Sequence, residues 1–92
     1  MKPNELEFAA ILDVLKVPQC RRIVETLVRN SSDIEQLIKS TKLSERSLEL
    51  HMQLLVDAKL VSTRTITGKT KYTFASEYFA THASWFVKIL ND

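Results

Sequence analysis

Ninety-two residues carry 13 basic and 11 acidic side chains, a net charge of +2, with 45% apolar residues, one glycine, two prolines and one cysteine. A chain this short holds one domain at most, with a core small enough that burial against a second subunit would help it. The scarcity of glycine and proline excludes a disordered chain and a turn-rich all-β fold. The lone cysteine excludes an internal disulfide and suits a reducing, cytoplasmic setting.

No apolar run approaches a membrane span and the N-terminus lacks a signal peptide's apolar centre, so no membrane partner is expected. The small net charge says less than its distribution. Residues 1–13 set Lys2 against Glu5, Glu7 and Asp13, a net of −2, whereas 59–71 hold Lys59, Arg64, Lys69 and Lys71 and no acid, a net of +4.

In chain order, the pattern predicts a first helix from about Asn4 to Lys16. Leu6, Ala9, Ala10, Asp13, Val14 and Val17 lie near one face, and Phe8, Ile11, Leu12 and Leu15 widen the apolar surface past one stripe, as in a central or shared helix. Val17-Pro18 breaks it, and Pro18 opens a second helix to Arg29. Ile23, Val24, Leu27 and Val28 form its core face, and Arg21, Arg22 and Arg29 are expected to face water or phosphate. Residues 32–58 then read as helix, short turn, helix. Ser32 starts the first of these, Asp33 follows in its first turn, and Ile34, Leu37 and Ile38 are its apolar face. The link is Thr41-Lys42-Leu43. Ser44 caps the second, and Leu48, Met52, Leu55 and Val56 continue the stripe. This is a helix-turn-helix, whose second helix can lie in a major groove.

After Lys59 the period changes to two. Residues 60–66 and 70–74 read as strands joined by Thr67-Gly68-Lys69, which holds the chain's only glycine, with Tyr72 and Phe74 on one face. A hairpin placed there is a wing, 60–74. Ser76 caps a last helix to residue 90. Phe79, Ala83, Phe86 and Leu90 form one stripe and Tyr78, Trp85 and Ile89 a second. Four of the seven aromatics lie here, with little left to cover in a monomer. The first and last helices are therefore expected to form a dimer interface through Phe8, Ile11, Leu12, Phe79, His82, Phe86 and Leu90.

Several stretches resemble the ArsR/SmtB family of winged-helix regulators. Arg21-Arg22-Ile23-Val24-Glu25-Thr26-Leu27 is similar to the family's Arg-Arg-Ile-Leu-x-x-Leu helix. Leu43-Ser44-x-x-Ser47-Leu48-x-x-His51-Met52-x-x-Leu55 is similar to its recognition helix. Ala58-Lys59-Leu60-Val61 is similar to the Ala-Gly-Leu-Val that enters the wing, and Lys69-Thr70-Lys71-Tyr72-Thr73-Phe74 to the return strand. The likeness covers about residues 8–90. It implies a mainly α winged helix-turn-helix, in the order α-α-α-α-β-β-α. It also implies a homodimeric, sequence-specific regulator, a repressor, that binds double-stranded DNA. The sequence departs from the family at two places. Metal sensors of the family often have Cys-x-Cys where this chain has Asp33-Ile34-Glu35-Gln36-Leu37. Glu49 and Leu50 stand where a polar and then a basic residue commonly precede the His.

Candidate base contacts are Arg46, which can pair with guanine, Gln53 with adenine, Ser44 and Ser47 with base or phosphate, and Glu45 with a cytosine amine. Arg64, Lys69 and Lys71 are candidate phosphate contacts on the wing. The plainer reading of both sets is solvated surface. Leu50 either packs beneath the turn or marks a protein-binding surface, and a winged-helix protein-interaction module is the alternative function. Cys20, in a first helical turn beside Arg21 and Arg22, has features that lower a thiol's pKa, so it is a candidate redox site; its alternative is a small buried residue. His51 reads as a packing or backbone-anchoring residue and His82 as an interface residue. No metal site, cofactor or enzyme signature is expected.

Overall fold

The computed structural model describes residues 3–81. The elements are α1 (Pro3–Leu15), α2 (Pro18–Arg29), α3 (Ile34–Thr41), α4 (Glu45–Asp57), β1 (Val61–Ile66) and β2 (Lys69–Phe74). Residues 76–81 form a further helix, α5. The expected interface residues His82, Phe86 and Leu90, with the rest of the last helix, lie outside the described residues. No helix among those described is long and apolar enough to cross a membrane.

Each boundary has a local cause. Val17 is extended at the N-cap of α2 and Pro18 takes the first helical position, where its missing N–H costs nothing. The preceding end of α1 is closed by Arg21, whose Nη1 donates to the carbonyls of Leu15 at 2.8 Å and Lys16 at 2.9 Å. Arg22 reaches across to donate to the carbonyl of Thr41, the last residue of α3. Both arginines, expected to face water or phosphate, therefore complete helix ends left with unpaired carbonyls.

The N-cap of α3 is Asp33, one residue later than expected. Its carboxylate accepts from the Gln36 N–H at 2.9 Å, and the Gln36 side chain accepts from the Asp33 N–H at 2.9 Å, a reciprocal capping box. Ser32 is thereby released for another role. It is buried and pairs with Tyr72 of β2, its N–H donating at 3.1 Å and its carbonyl accepting at 2.8 Å. Ser31 and Thr73 add a hydroxyl pair at 2.9 Å. The wing is thus fastened to the loop between α2 and α3.

Between α3 and α4, Lys42 adopts a left-handed conformation with φ 60°. The Thr41 hydroxyl donates to the Leu37 carbonyl at 2.6 Å and accepts from the Leu43 N–H at 3.3 Å, so one buried hydroxyl shapes the turn. Helix α4 ends in a Schellman motif, with Lys59 N–H on the Val56 carbonyl and Leu60 N–H on the Leu55 carbonyl, both at 3.0 Å. Leu55 and Leu60 are both fully buried, which supplies the apolar contact that accompanies such an end. Leu60, expected to open the strand, belongs to this motif.

The hairpin pairs Val61 with Phe74 through to Ile66 with Lys69. Its turn is two residues, Thr67-Gly68, with φ 52° and 77°. Lys69, expected in the turn, is therefore the first residue of β2. Two positive φ angles give a turn whose twist matches that of the strands.

The core joins Ile11, Cys20, Ile23, Leu27, Leu37, Leu48, Met52, Leu55, Leu60 and Val61. Two expectations change here. Ile11, assigned to a dimer interface, is buried within the single chain and has no surface to share. Val28, assigned to the core face of α2, is exposed. Helix α5 returns over the wing and α1. Phe79 lies on Phe74 with ring centroids 5.6 Å apart, and the Tyr78 hydroxyl bonds the Glu7 side chain of α1.

Candidate nucleic-acid interface

The N-terminus of α4 gathers four of the predicted contacts. Ser44 is the N-cap, its hydroxyl accepting from the Ser47 N–H at 3.1 Å. Glu45 and Arg46 are exposed in the first turn. Ser47 is half-buried and its hydroxyl meets His51 Nδ1 at 3.2 Å, while the same ring nitrogen lies 2.7 Å from the Ser47 carbonyl. His51 thus anchors to the backbone of its own helix, as expected. Gln53 is exposed, but its amide donates to the Asp57 carboxylate at 2.8 Å.

The inward stripe of Leu48, Met52 and Leu55 fixes the outward one. Arg46, Glu49, Leu50 and Gln53 share the opposite side, since positions three and four apart stack on a helix. Leu50 is 64% exposed, so it does not pack beneath the turn.

The wing supplies the charge. Strand alternation sends Val61, Tyr72 and Phe74 toward the core and Arg64, Lys69 and Lys71 to the solvent side. Arg64 stands directly opposite Lys71 in the register. Like charges across a pair destabilise a sheet, and here the described residues offer no acid to offset them: the one side-chain ion pair printed by the geometry is Lys16–Asp13. A cluster of three unneutralised cations on one face, one of them forced against another, suits a polyanion. A shallow hollow of about 240 Å³, lined by Glu49, Met52, Gln53, Val56, Thr63 and Tyr72, lies between α4 and the wing.

Cys20 occupies the position expected of a reactive thiol but not its environment. It is fully buried, with Sγ 3.8 Å from the His51 carbonyl, and burial raises its pKa above the ordinary 9.0. The neighbouring guanidinium groups point away to backbone carbonyls. Desolvation, which favours the neutral thiol, therefore wins over the helix terminus. The redox reading gives way to its alternative, a small apolar core residue. No group of three or more metal-ligating side chains occurs among the described residues.

Sequence reasoning missed Ser32, Thr41 and Arg22 as organisers of the unit. Each is polar and makes its partner across the fold, which periodicity does not register.

Helix-turn-helix, hairpin and flanking helices together define a winged helix-turn-helix domain. No protein-family model matches the chain, and neither does any curated protein. Solved structures do match. The chain is similar to an ArsR-like transcriptional regulator from Rhodococcus sp. RHA1, with TM-score 0.87 and 18% identity over 92% of this chain and 80% of that one. It is similar to NolR from Sinorhizobium fredii, with TM-score 0.74 and 25% identity over 97% and 93% of the two chains. It is also similar to the homodimeric winged helix-turn-helix DNA-binding domain Mb0332 from Mycobacterium bovis, with TM-score 0.76 and 16% identity over 99% and 88%. The fold is thus that of ArsR-type transcriptional regulators, a non-enzymatic class.

Proposed function

We propose that the chain is a sequence-specific double-stranded DNA-binding transcriptional regulator that acts as a homodimeric repressor in the cytoplasm. The observation that carries this reading is the cation face of the wing, Arg64, Lys69 and Lys71, beside an α4 whose outer side carries Arg46 and Glu49 free of hydrogen bonds and ion pairs. In this arrangement α4 lies in a major groove, and the wing holds the flanking phosphates. The glutamates at 45 and 49 repel backbone and favour a cytosine amine, which sharpens sequence preference at some expense in affinity.

Dimerisation rests on α1 and the last helix. Leu12 is 40% exposed on a helix that is apolar around its circumference, and Phe8 and Phe79 are half-buried. With Ile11 assigned to the core, the interface reduces to Phe8, Leu12 and Phe79 together with His82, Phe86 and Leu90. A homodimeric relative of the same fold supports this assembly. A dimer places two copies of α4 on half-sites about one helical turn apart, and a repressor results where such a site overlaps a promoter.

Fluorescence anisotropy tests the reading, using duplex DNA from upstream of the chain's own gene against a scrambled duplex at two salt concentrations. Tighter binding to the upstream duplex, weakening steeply with salt, is expected. Equal affinity for the two that is indifferent to Lys69→Glu with Lys71→Glu counts against it.

Exposed Leu50 between acidic neighbours favours a second reading, a winged-helix protein-interaction module. In that case Leu50→Asp abolishes capture of a partner protein without unfolding the domain, and the folded dimer ignores both duplexes.

A further inference from the structure

We propose that Leu50 reads the 5-methyl group of a thymine in the major groove and is a specificity-determining residue of α4. The proposal rests on the DNA-binding reading above. Leu50 is the most exposed large apolar side chain among the described residues, at 64%. It lies in the middle of α4, four residues after Arg46 and on the same side, facing away from the buried Leu48, Met52 and Leu55.

The polar side chains around it are largely engaged within the helix. Ser44 holds the Ser47 N–H, the Ser47 hydroxyl meets His51, and Gln53 holds Asp57. Arg46 and Glu49 have no such bond, and Leu50 has no polar atom to offer. The face that meets a base-pair edge therefore presents one donor fork, one carboxylate and one bare isobutyl group.

A major groove is lined by donors and acceptors, which a leucine would desolvate without replacing. Its one apolar feature is the thymine methyl. Leucine against that methyl buries apolar surface on both sides and strips no polar group of water. The same side chain against a cytosine, guanine or adenine edge covers polar atoms that it cannot satisfy. Discrimination thus arises from attraction to thymine and from the desolvation of the other three bases.

The test uses the full chain. A bound duplex is enriched from a random library, and each thymine in it is replaced in turn by deoxyuridine, which lacks only the methyl. One thymine per half-site is expected at which this replacement weakens the parent about fourfold, the effect of burying one methyl group. Leu50→Ala is expected to bind the unmodified duplex with a similar loss and to show no further loss with deoxyuridine there. Leu50→Met, apolar and of like volume, retains the dependence.

Parent binding that is indifferent to every deoxyuridine, or a loss that is the same in Leu50→Ala, overturns the proposal while leaving the DNA-binding reading intact. Equal affinity of parent and Leu50→Ala for the enriched duplex also overturns it and assigns Leu50 to a protein partner. A library that enriches no sequence removes the DNA-binding reading, and this proposal with it.

Discussion

The thiol of Cys20 lies under the recognition helix, against the carbonyl of His51, with no exposed surface. Its reaction with a disulfide reagent should be limited by opening of the fold. Labelling is expected to be at least a hundredfold slower in buffer than in denaturant, as followed by release of the aromatic thiol; equal rates would place Cys20 at the surface. Position and neighbours had suggested the opposite, because the sequence displays the arginines but not where their guanidinium groups go. Thr41 makes a second point. Its hydroxyl both donates and accepts inside the turn, and its carbonyl takes the Arg22 guanidinium. Thr41→Val keeps the shape and leaves the Leu43 N–H without this partner, at a cost of about 1–3 kcal/mol. Urea denaturation measures this as a lower midpoint at unchanged m-value.

Two elements end in conformations that their residues resist. Lys59 takes the left-handed position of the Schellman motif at φ 63°, and Thr67 takes the first central position of the hairpin turn at φ 52°. Glycine is the usual occupant of the former and asparagine suits the latter. Lys59→Gly and Thr67→Asn are each expected to raise stability by about 1 kcal/mol, read as a higher melting temperature. A fall in either case would show that the side chain makes a contact worth more than the strain. Gly68, at φ 77°, meets nothing within 4 Å of an added Cβ, so Gly68→Ala is expected to destabilise through backbone strain alone.

The elements themselves were legible because α2, α3 and α4 carry stripes at spacing three and four and β2 alternates. Their ends were legible where a single side chain decides them, as at Pro18 and Ser44. The ends that shifted, at Ser32, Leu60 and Lys69, are those where two local solutions compete and a partner distant in sequence selects one. The cations of the wing could be read from composition, but the opposition of Arg64 and Lys71 needed the register.

For the molecule as a whole, pH and salt report on different surfaces. The Tyr78 phenol is raised above its ordinary 10.0 first by burial and then by the charge and hydrogen bond of Glu7. A raised folded value contributes stability that is fully present below about pH 10 and lost as pH rises through it. Melting temperature should therefore fall between pH 9 and 11 by more in the parent than in Tyr78→Phe; an identical fall would mean that the contact between α1 and α5 is not linked to this proton. Salt reads the wing. Lys69→Gln with Lys71→Gln is expected to flatten the dependence of log affinity on log salt by about two per protomer, one for each phosphate released.

The tie between Ser32 and Tyr72 has a bearing on solubility. A two-stranded sheet has two open edges, and the β2 edge is partly covered by the loop stitched to it. The β1 edge, Val-Ser-Thr-Arg-Thr-Ile, pairs with no further strand among the described residues. Arg64 is the only charge along it. The side chain that grips phosphate is thus also the guard that keeps a β-branched edge from templating another copy of itself.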